Sequence, residues 1–229
     1  MRNCENIELH PIAHIENGFV DKFGIPRQSR DSSVIESRIV FEPEYRNPDA
    51  IRGIEGYSHL WLIWQFEEAL ENLTVRPPRL GGNVRMGVFA TRSPFRPNPL
   101  GLTSVRLLRV EEGPVLVVSG ADLLNGTPIF DIKPYLSYSD SHPDAVNGFA
   151  EETKDYRLEV VFPENAETGK CENEKMLNEI REILSQDPRP AYQDDPERIY
   201  KLDYADYKVS FKVNKGKIYV LNITKSDRK

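Results

Sequence analysis

The chain has only two cysteines in 229 residues, Cys4 and Cys171. They stand far apart and form no CxxC pair, which argues against a disulfide framework and a cysteine-based zinc site. Histidine is nearly as scarce, at four residues. His10 and His14 are four apart, but Pro11 breaks the helix that such a metal pair needs, and no metal site is predicted. No stretch of roughly 18 apolar residues exists, so no membrane-spanning helix is predicted. The opening "MRNCENIELHPIAHIENG" lacks an apolar core of signal-peptide length, which predicts a cytoplasmic protein. Familiar catalytic motifs are missing as well. There is no GxSxG, no HExxH, no Walker lysine loop and no GxGxxG after a strand. "RLGGNVRMG" has glycines without the dinucleotide spacing. These absences remove the common cofactor folds and leave the chemistry open.

Acid is missing from one window. Between Asn72 and Val110 there is no Asp or Glu, although the whole chain carries a formal net charge of −6. The window holds Arg76, Arg79, Arg85, Arg92, Arg96, Arg106 and Arg109, and no lysine. A guanidinium fork suits phosphate and carboxylate better than an ammonium does. The window reads either as an electrostatic footprint for a nucleic acid or as a solvated strand face.

Short runs rich in β-branched and aromatic residues dominate the first two-thirds of the chain. Strands are predicted over 34–41, 60–66, 84–90, 104–110 and 115–119, with a hairpin loop at 111–114. Asn47 followed by Pro48 predicts a capped short helix. Many short strands without a βαβ rhythm point to an antiparallel barrel or sandwich. Composition changes near Ala150. Beyond it, 172–186 is an amphipathic helix, with Met176, Leu177, Ile180, Ile183 and Leu184 on one stripe and Pro188 ending it. Two strands follow, 207–213 and 217–223, with a turn at 214–216.

Three segments look built for ligands. "TRSPFRPNPLG" (91–101) fixes its backbone with Pro94, Pro97 and Pro99 around Arg92 and Arg96, so little entropy is left to lose on binding. "DLLNGTPIFDIKPYLSYSD" (122–140) has the turn pair Asn125-Gly126, and alternation places Asp131, Lys133 and Tyr135 on one side of a strand. "GIPRQSR" (24–30) is a loop rich in hydrogen-bond donors. Each also has a structural reading, as a rigid corner, an ion-paired hairpin or a surface loop.

"GVFATRSPFRPNPLGLTSVRLL" together with "GADLLNGTPIFDIKPY" closely resembles the TrmO (TsaA-like or YaeB-like) family. "GIPRQ", "GYSHLWLIWQF", "RPPRLGGN" and "LSQDPRPAYQ" fit the same pattern in the same order. The resemblance implies a mainly β fold: an antiparallel β-barrel over 1–150 that binds S-adenosylmethionine, and a small α+β domain over 151–229 that helps hold tRNA. It implies a homodimer with the donor pocket near the subunit interface. It also implies methyl transfer to N6 of threonylcarbamoyladenosine beside the anticodon, chiefly in threonine tRNA. Carried over by position, donor contacts fall on Pro26, Arg27, Gln28, Glu67, Glu68, Arg92, Leu102, Leu123, Leu124, Asn125 and Gly126. Some relatives carry a His-Gln pair where this chain has Glu67-Glu68. Substrate contacts are expected from Arg96, Lys133, Arg189 and Tyr192, and a general base, if one acts, from Asp131 or Tyr135. The competing readings are a non-catalytic sensor of S-adenosylmethionine and RNA, and a methyltransferase for another substrate.

Overall fold

Alternate residues are buried along β1 (Ala13–Glu16), β2 (Glu36–Phe41) and β3 (His59–Gln65), the period of a strand with one face inside. The computed structural model describes residues 7–26, 34–67, 70–77, 80, 84–154, 156–162, 173–189 and 195–226. Two short strands, β4 (Thr74–Val75) and β5 (Met86–Gly87), pair with each other. The strand expected over 84–90 is therefore only two residues long. Val88 N–H donates to Leu73 O, the chain turns at Val88–Ala90, and the Val88 side chain is buried. β6 (Leu100–Glu111), β7 (Val115–Ser119) and β8 (Pro128–Pro134) complete the first unit.

Hydrogen-bonded neighbours run β1-β2-β7-β6-β3-β8, and β8 returns to β1 through Ala13↔Ile129, so the sheet closes into a ring. Ile15, Ile39, Leu60, Leu62, Leu116, Val118 and Ile129 fill its interior. All six pairings are antiparallel. That direction has a consequence for function. The three long connections, β1 to β2, β3 to β6 and β7 to β8, all leave the ring at the same end. All three of the donor-rich sequence segments begin or lie within them.

After the short helix α1 (Ser137–Asp140) the chain builds a second sheet. Its strands are β9 (Glu159–Val161), β10 (Tyr200–Tyr204), β11 (Tyr207–Asn214) and β12 (Lys217–Lys225), in the order β10-β11-β12-β9. The β11–β12 turn uses Lys215 and Gly216 at positive φ, as a tight hairpin with the sheet's twist requires. Helix α2 (Glu174–Ser185) starts at Asn173, whose side chain accepts from the Lys175 and Met176 amides. Ile180, Ile183 and Leu184 are buried, and Met176 and Leu177 pack beside them, as the stripe predicts. The helix stops at Asp187, which takes a left-handed φ of 52°. There Asp187 N–H donates to Leu184 O, and the carboxylate accepts from both Nε (2.8 Å) and NH2 (3.0 Å) of Arg189.

The core of this second unit is not made by its own residues alone. Phe19 and Ile35, from the β1–β2 connection, are buried in it, and Phe23 and Ile25 pack against it. The two sheets therefore share a segment of chain at the end of the ring where the loops gather.

Candidate functional site

An open cleft of about 490 Å³ lies at that end, lined by Gln65, Phe66, Glu67 and Pro128. Its size suits a small-molecule ligand. Three chain segments meet around it. Phe66 N–H donates to Pro99 O at 2.8 Å, tying the end of β3 to the proline-rich loop. Pro128 opens β8 directly after the 122–127 loop. Beneath them, buried Trp64 donates from Nε1 to Thr103 Oγ1 at 3.0 Å, and Thr103 donates to Asp122 Oδ1 at 2.6 Å. This chain of bonds joins β3, β6 and the third loop. Gly101 makes it possible, because a Cβ there would lie 2.2 Å from the Trp64 ring. Sequence reasoning missed Trp64, Thr103 and Asp122, since nothing local links residues so far apart in the chain.

The proline-rich loop is fixed as its composition implies. Thr91 Oγ1 donates to Val88 O, Ser93 N–H donates to Thr91 Oγ1, and Arg96 N–H donates to Pro94 O. Arg96 is part of this scaffold. Its NH1 donates to Thr91 O at 2.8 Å and to Val88 O at 3.3 Å, and its guanidinium lies over the Phe89 ring at 5.6 Å. Arg92 differs. It is exposed and has no hydrogen bond or ion pair to another described residue. Glu67 likewise is exposed and has no described partner.

The third loop is zipped to the first. Asn125 N–H donates to Phe19 O, Gly126 N–H to Ile15 O, and Asn17 N–H to Asn125 Oδ1. Asn17 Nδ2 donates to Leu123 O at 2.9 Å. Gly126 has a φ of 84°, with open space where a Cβ would stand. Asn125-Gly126 is the turn pair that the sequence marks in this segment.

The predicted site residues divide accordingly. The structure gathers Pro26, Glu67, Arg92 and Leu102, with Leu123, Leu124, Asn125 and Gly126, onto loops or strand ends at one end of the ring. Leu102 is exposed beside Ile63 on the outer face. Arg27, Gln28, Glu68, Arg79 and Tyr192 lie outside the described residues. Asp131, Lys133 and Tyr135 do share one face: Asp131 lies level with Leu102, since both pair with Ile63, and β8 carries Lys133 and Tyr135 on away from the cleft. At about 3.3 Å per residue, Tyr135 stands about 23 Å along the chain beyond Pro128, near the far end of the ring. Its backbone N–H meets His59 O there, and its ring contacts His59 and Trp61, which takes it out of the cleft as a base. Asp131 has partners on both oxygens, Lys133 Nζ at 2.8 Å and Ile132 N–H at 2.9 Å. Arg189 is turned to Asp187, with both side chains nearly buried, so its fork faces inward instead of toward a phosphate. Burial alone would raise the Asp187 carboxyl, but the bonds from Arg189 and Tyr156 outweigh it and hold the group below the usual aspartate range. Among the acid-free arginines, Arg109 is paired with Glu36 and Glu111, while Arg76 and Arg85 are exposed. Among the described residues no cluster of three or more His, Cys, Asp or Glu forms a metal site, and no helix is long and apolar enough to cross a membrane.

A closed antiparallel ring whose three long connections gather at the end that carries the cleft, packed against a small α+β unit, defines a β-ring protein with a ligand-sized cleft at its loop end. The family model of the tRNA-methyltransferase O N-terminal domain matches residues 14–141, and that of the TrmO C-terminal domain matches 155–226. The tRNA (adenine(37)-N6)-methyltransferase of Escherichia coli is 39% identical over 91% of this chain and 94% of its own length. A protein of Pseudomonas aeruginosa named as a putative S-adenosylmethionine-dependent methyltransferase is 43% identical over 81% of this chain and 83% of its own. The crystal structure of TrmO from Pseudomonas aeruginosa superposes with a TM-score of 0.80 at 33% identity, covering 99% of this chain and all of that one. The chain belongs to the TrmO family, an S-adenosylmethionine-dependent methyltransferase family.

Proposed function

We propose that this chain transfers a methyl group from S-adenosylmethionine to N6 of threonylcarbamoyladenosine at position 37 of tRNA, chiefly threonine tRNA. The observation that carries the reading is the gathering of three loops at the end of the ring that holds the cleft, with family-matched residues on all of them. The residues present suit the donor. Glu67 brings two acceptor oxygens with no partner among the described residues, suited to ribose hydroxyls, and Phe66 and Pro128 bring an apolar wall for a purine. Arg92 brings a fork with no partner among the described residues, on a rigid loop, matched to a carboxylate. When bound, the donor supplies an electrophilic methyl on a sulfonium. The chain's own task is orientation: the loops must hold N6 in line with that methyl, and the Trp64–Thr103–Asp122 bonds keep the loops in register. In this reading the ring (1–150) is the donor-binding barrel and 151–229 is the tRNA-binding appendage. The exposed Leu70, Leu73, Phe89, Phe95 and Leu102, all between β3 and β6 or at its start, are the surface we assign to a second copy in a homodimer.

The test uses labelled S-adenosylmethionine and two threonine tRNA transcripts, one carrying threonylcarbamoyladenosine. Transfer only to the modified transcript is expected. Equal transfer to both would refute the order of modification. Transfer to neither, with donor binding intact, would favour the sensor reading.

The exposed arginines carry a second prediction. Arg76→Ala/Arg85→Ala is expected to weaken tRNA binding at low salt and to lower the slope of log affinity against log salt by about 1–2, since each lost phosphate contact releases one counterion fewer. Fluorescence anisotropy across a salt titration measures it. An unchanged slope removes both residues from the footprint.

A further inference from the structure

We propose that the C-terminal unit positions the methyl-donor loops of the ring, through contact of Tyr204 with Gly18 and Phe19. The inference rests on the reading that 123–126 contacts the donor. Three observations carry it. First, the contact is closed. Phe19 meets Tyr204 edge to face at 5.4 Å, Ala205 N–H donates to Gly18 O at 2.7 Å, and a Cβ on Gly18 would lie 2.6 Å from the Tyr204 ring. Second, Tyr204 is itself held. It is 2% exposed, and its hydroxyl donates to Glu179 Oε2 of α2 at 3.0 Å. Third, the contacted segment is the one zipped to the third loop. Asn17 and Phe19 between them engage Leu123 O, Asn125 N–H and Asn125 Oδ1. The same surface also holds the next turn. Gly24 has a φ of 120°, and a Cβ there would lie 2.2 Å from Leu202 Cδ1, two residues before Pro26. A displacement of β10 therefore moves residues 17–19, with the 123–126 loop zipped to them, and the turn at Gly24 together. A ridged core transmits such shifts because it is close-packed.

Gly18→Ala tests this. The Tyr204 ring cannot yield cheaply, so residues 17–19 must. The dissociation constant for S-adenosylhomocysteine, a non-reacting product, is expected to rise about tenfold, and the Asn125 and Gly126 amides to exchange faster. Adding Tyr204→Leu, which vacates the space the new methyl needs, is expected to recover part of the affinity. A role confined to stability would lower Tm and leave ligand affinity and these two amides unchanged well below the transition. That result in the folded variant overturns the inference. If Gly18→Ala does not fold, Tyr204→Phe decides. It keeps the ring and removes the Glu179 bond, and unaltered Asn125 exchange and ligand affinity would overturn the inference equally. The underlying reading is checked separately in the wild-type protein. If S-adenosylhomocysteine binds without slowing any amide of 123–126, and Leu124→Glu binds it normally, then the loop assignment has failed and not the coupling alone.

Discussion

Arg92→Ala is expected to raise KM for S-adenosylmethionine roughly 10- to 100-fold while leaving Tm unchanged. The magnitude is that of one charge-assisted bond to the donor's carboxylate, about 1.5–3 kcal/mol. The unchanged Tm follows from the structure. Arg92 is exposed and bonds no other described residue, so its removal breaks nothing in the fold. The loop keeps its shape because Arg96, Thr91 and Ser93 hold it, and Pro94, Pro97 and Pro99 restrict its backbone. Initial rates at varied donor and saturating tRNA, with a melt of the same sample, decide the matter. An unchanged KM with a reduced tRNA salt slope would move Arg92 from the donor to the RNA. A lowered Tm would show that it serves the loop instead.

Much of the fold was legible locally. The α2 stripe, the Asn47 cap and the β11–β12 turn each depend on residues a few positions apart, and each stands where the pattern predicts. Elements that depend on distant partners were not. β1 is four residues long and β10 five, too short for alternation to mark them, and they exist because β2 and β11 lie alongside. The stretch 84–90 has strand-like composition, yet only β4 is available to pair with it, so the ladder ends after two residues. The site shows the same division. The stiffness of 91–101 was readable from its prolines, but the choice between its arginines was not. Arg96 turns to Thr91 O and Val88 O while Arg92 has no partner among the described residues, a difference set by the loop's path. Alternation put Asp131, Lys133 and Tyr135 on one face correctly, and could not say that this face starts level with Leu102 and ends beside His59 at the far end of the ring. Arg189 illustrates a local signal passed over. Asp187, two residues before it, takes its fork. The methyl donor itself came from resemblance alone, because no spacing in this chain encodes a sulfonium site on a β sheet.

Truncation after residue 150 is expected to lose donor binding together with tRNA binding, and to yield an aggregating or partly unfolded product. A composition change near Ala150 invites the cut, and an appendage that held tRNA and did nothing else would predict loss of tRNA affinity with donor binding spared. The packing argues otherwise. Phe19 is 2% and Ile35 5% exposed only because α2 and the second sheet cover them, and Phe23 and Ile25 pack on the same cluster. Phe19 and Ile35 each lose about 1.5–3 kcal/mol of burial when that cover is removed, and the half-buried Phe23 and Ile25 lose less. Those losses compare with the whole stability of a domain, about 5–15 kcal/mol. They fall on the connection that is zipped to Leu123 and Asn125, so the donor loops loosen before the ring does. Substituting Phe19, Phe23, Ile25 and Ile35 with serine in the truncated chain separates the two effects. Those serines are expected to restore solubility but not affinity for S-adenosylhomocysteine by calorimetry, since the exposed apolar surface is gone while Tyr204 and its contact with Gly18 are still missing. Wild-type affinity in a soluble truncated protein would mean that the ring orders its loops unaided, and that the second unit serves the RNA alone.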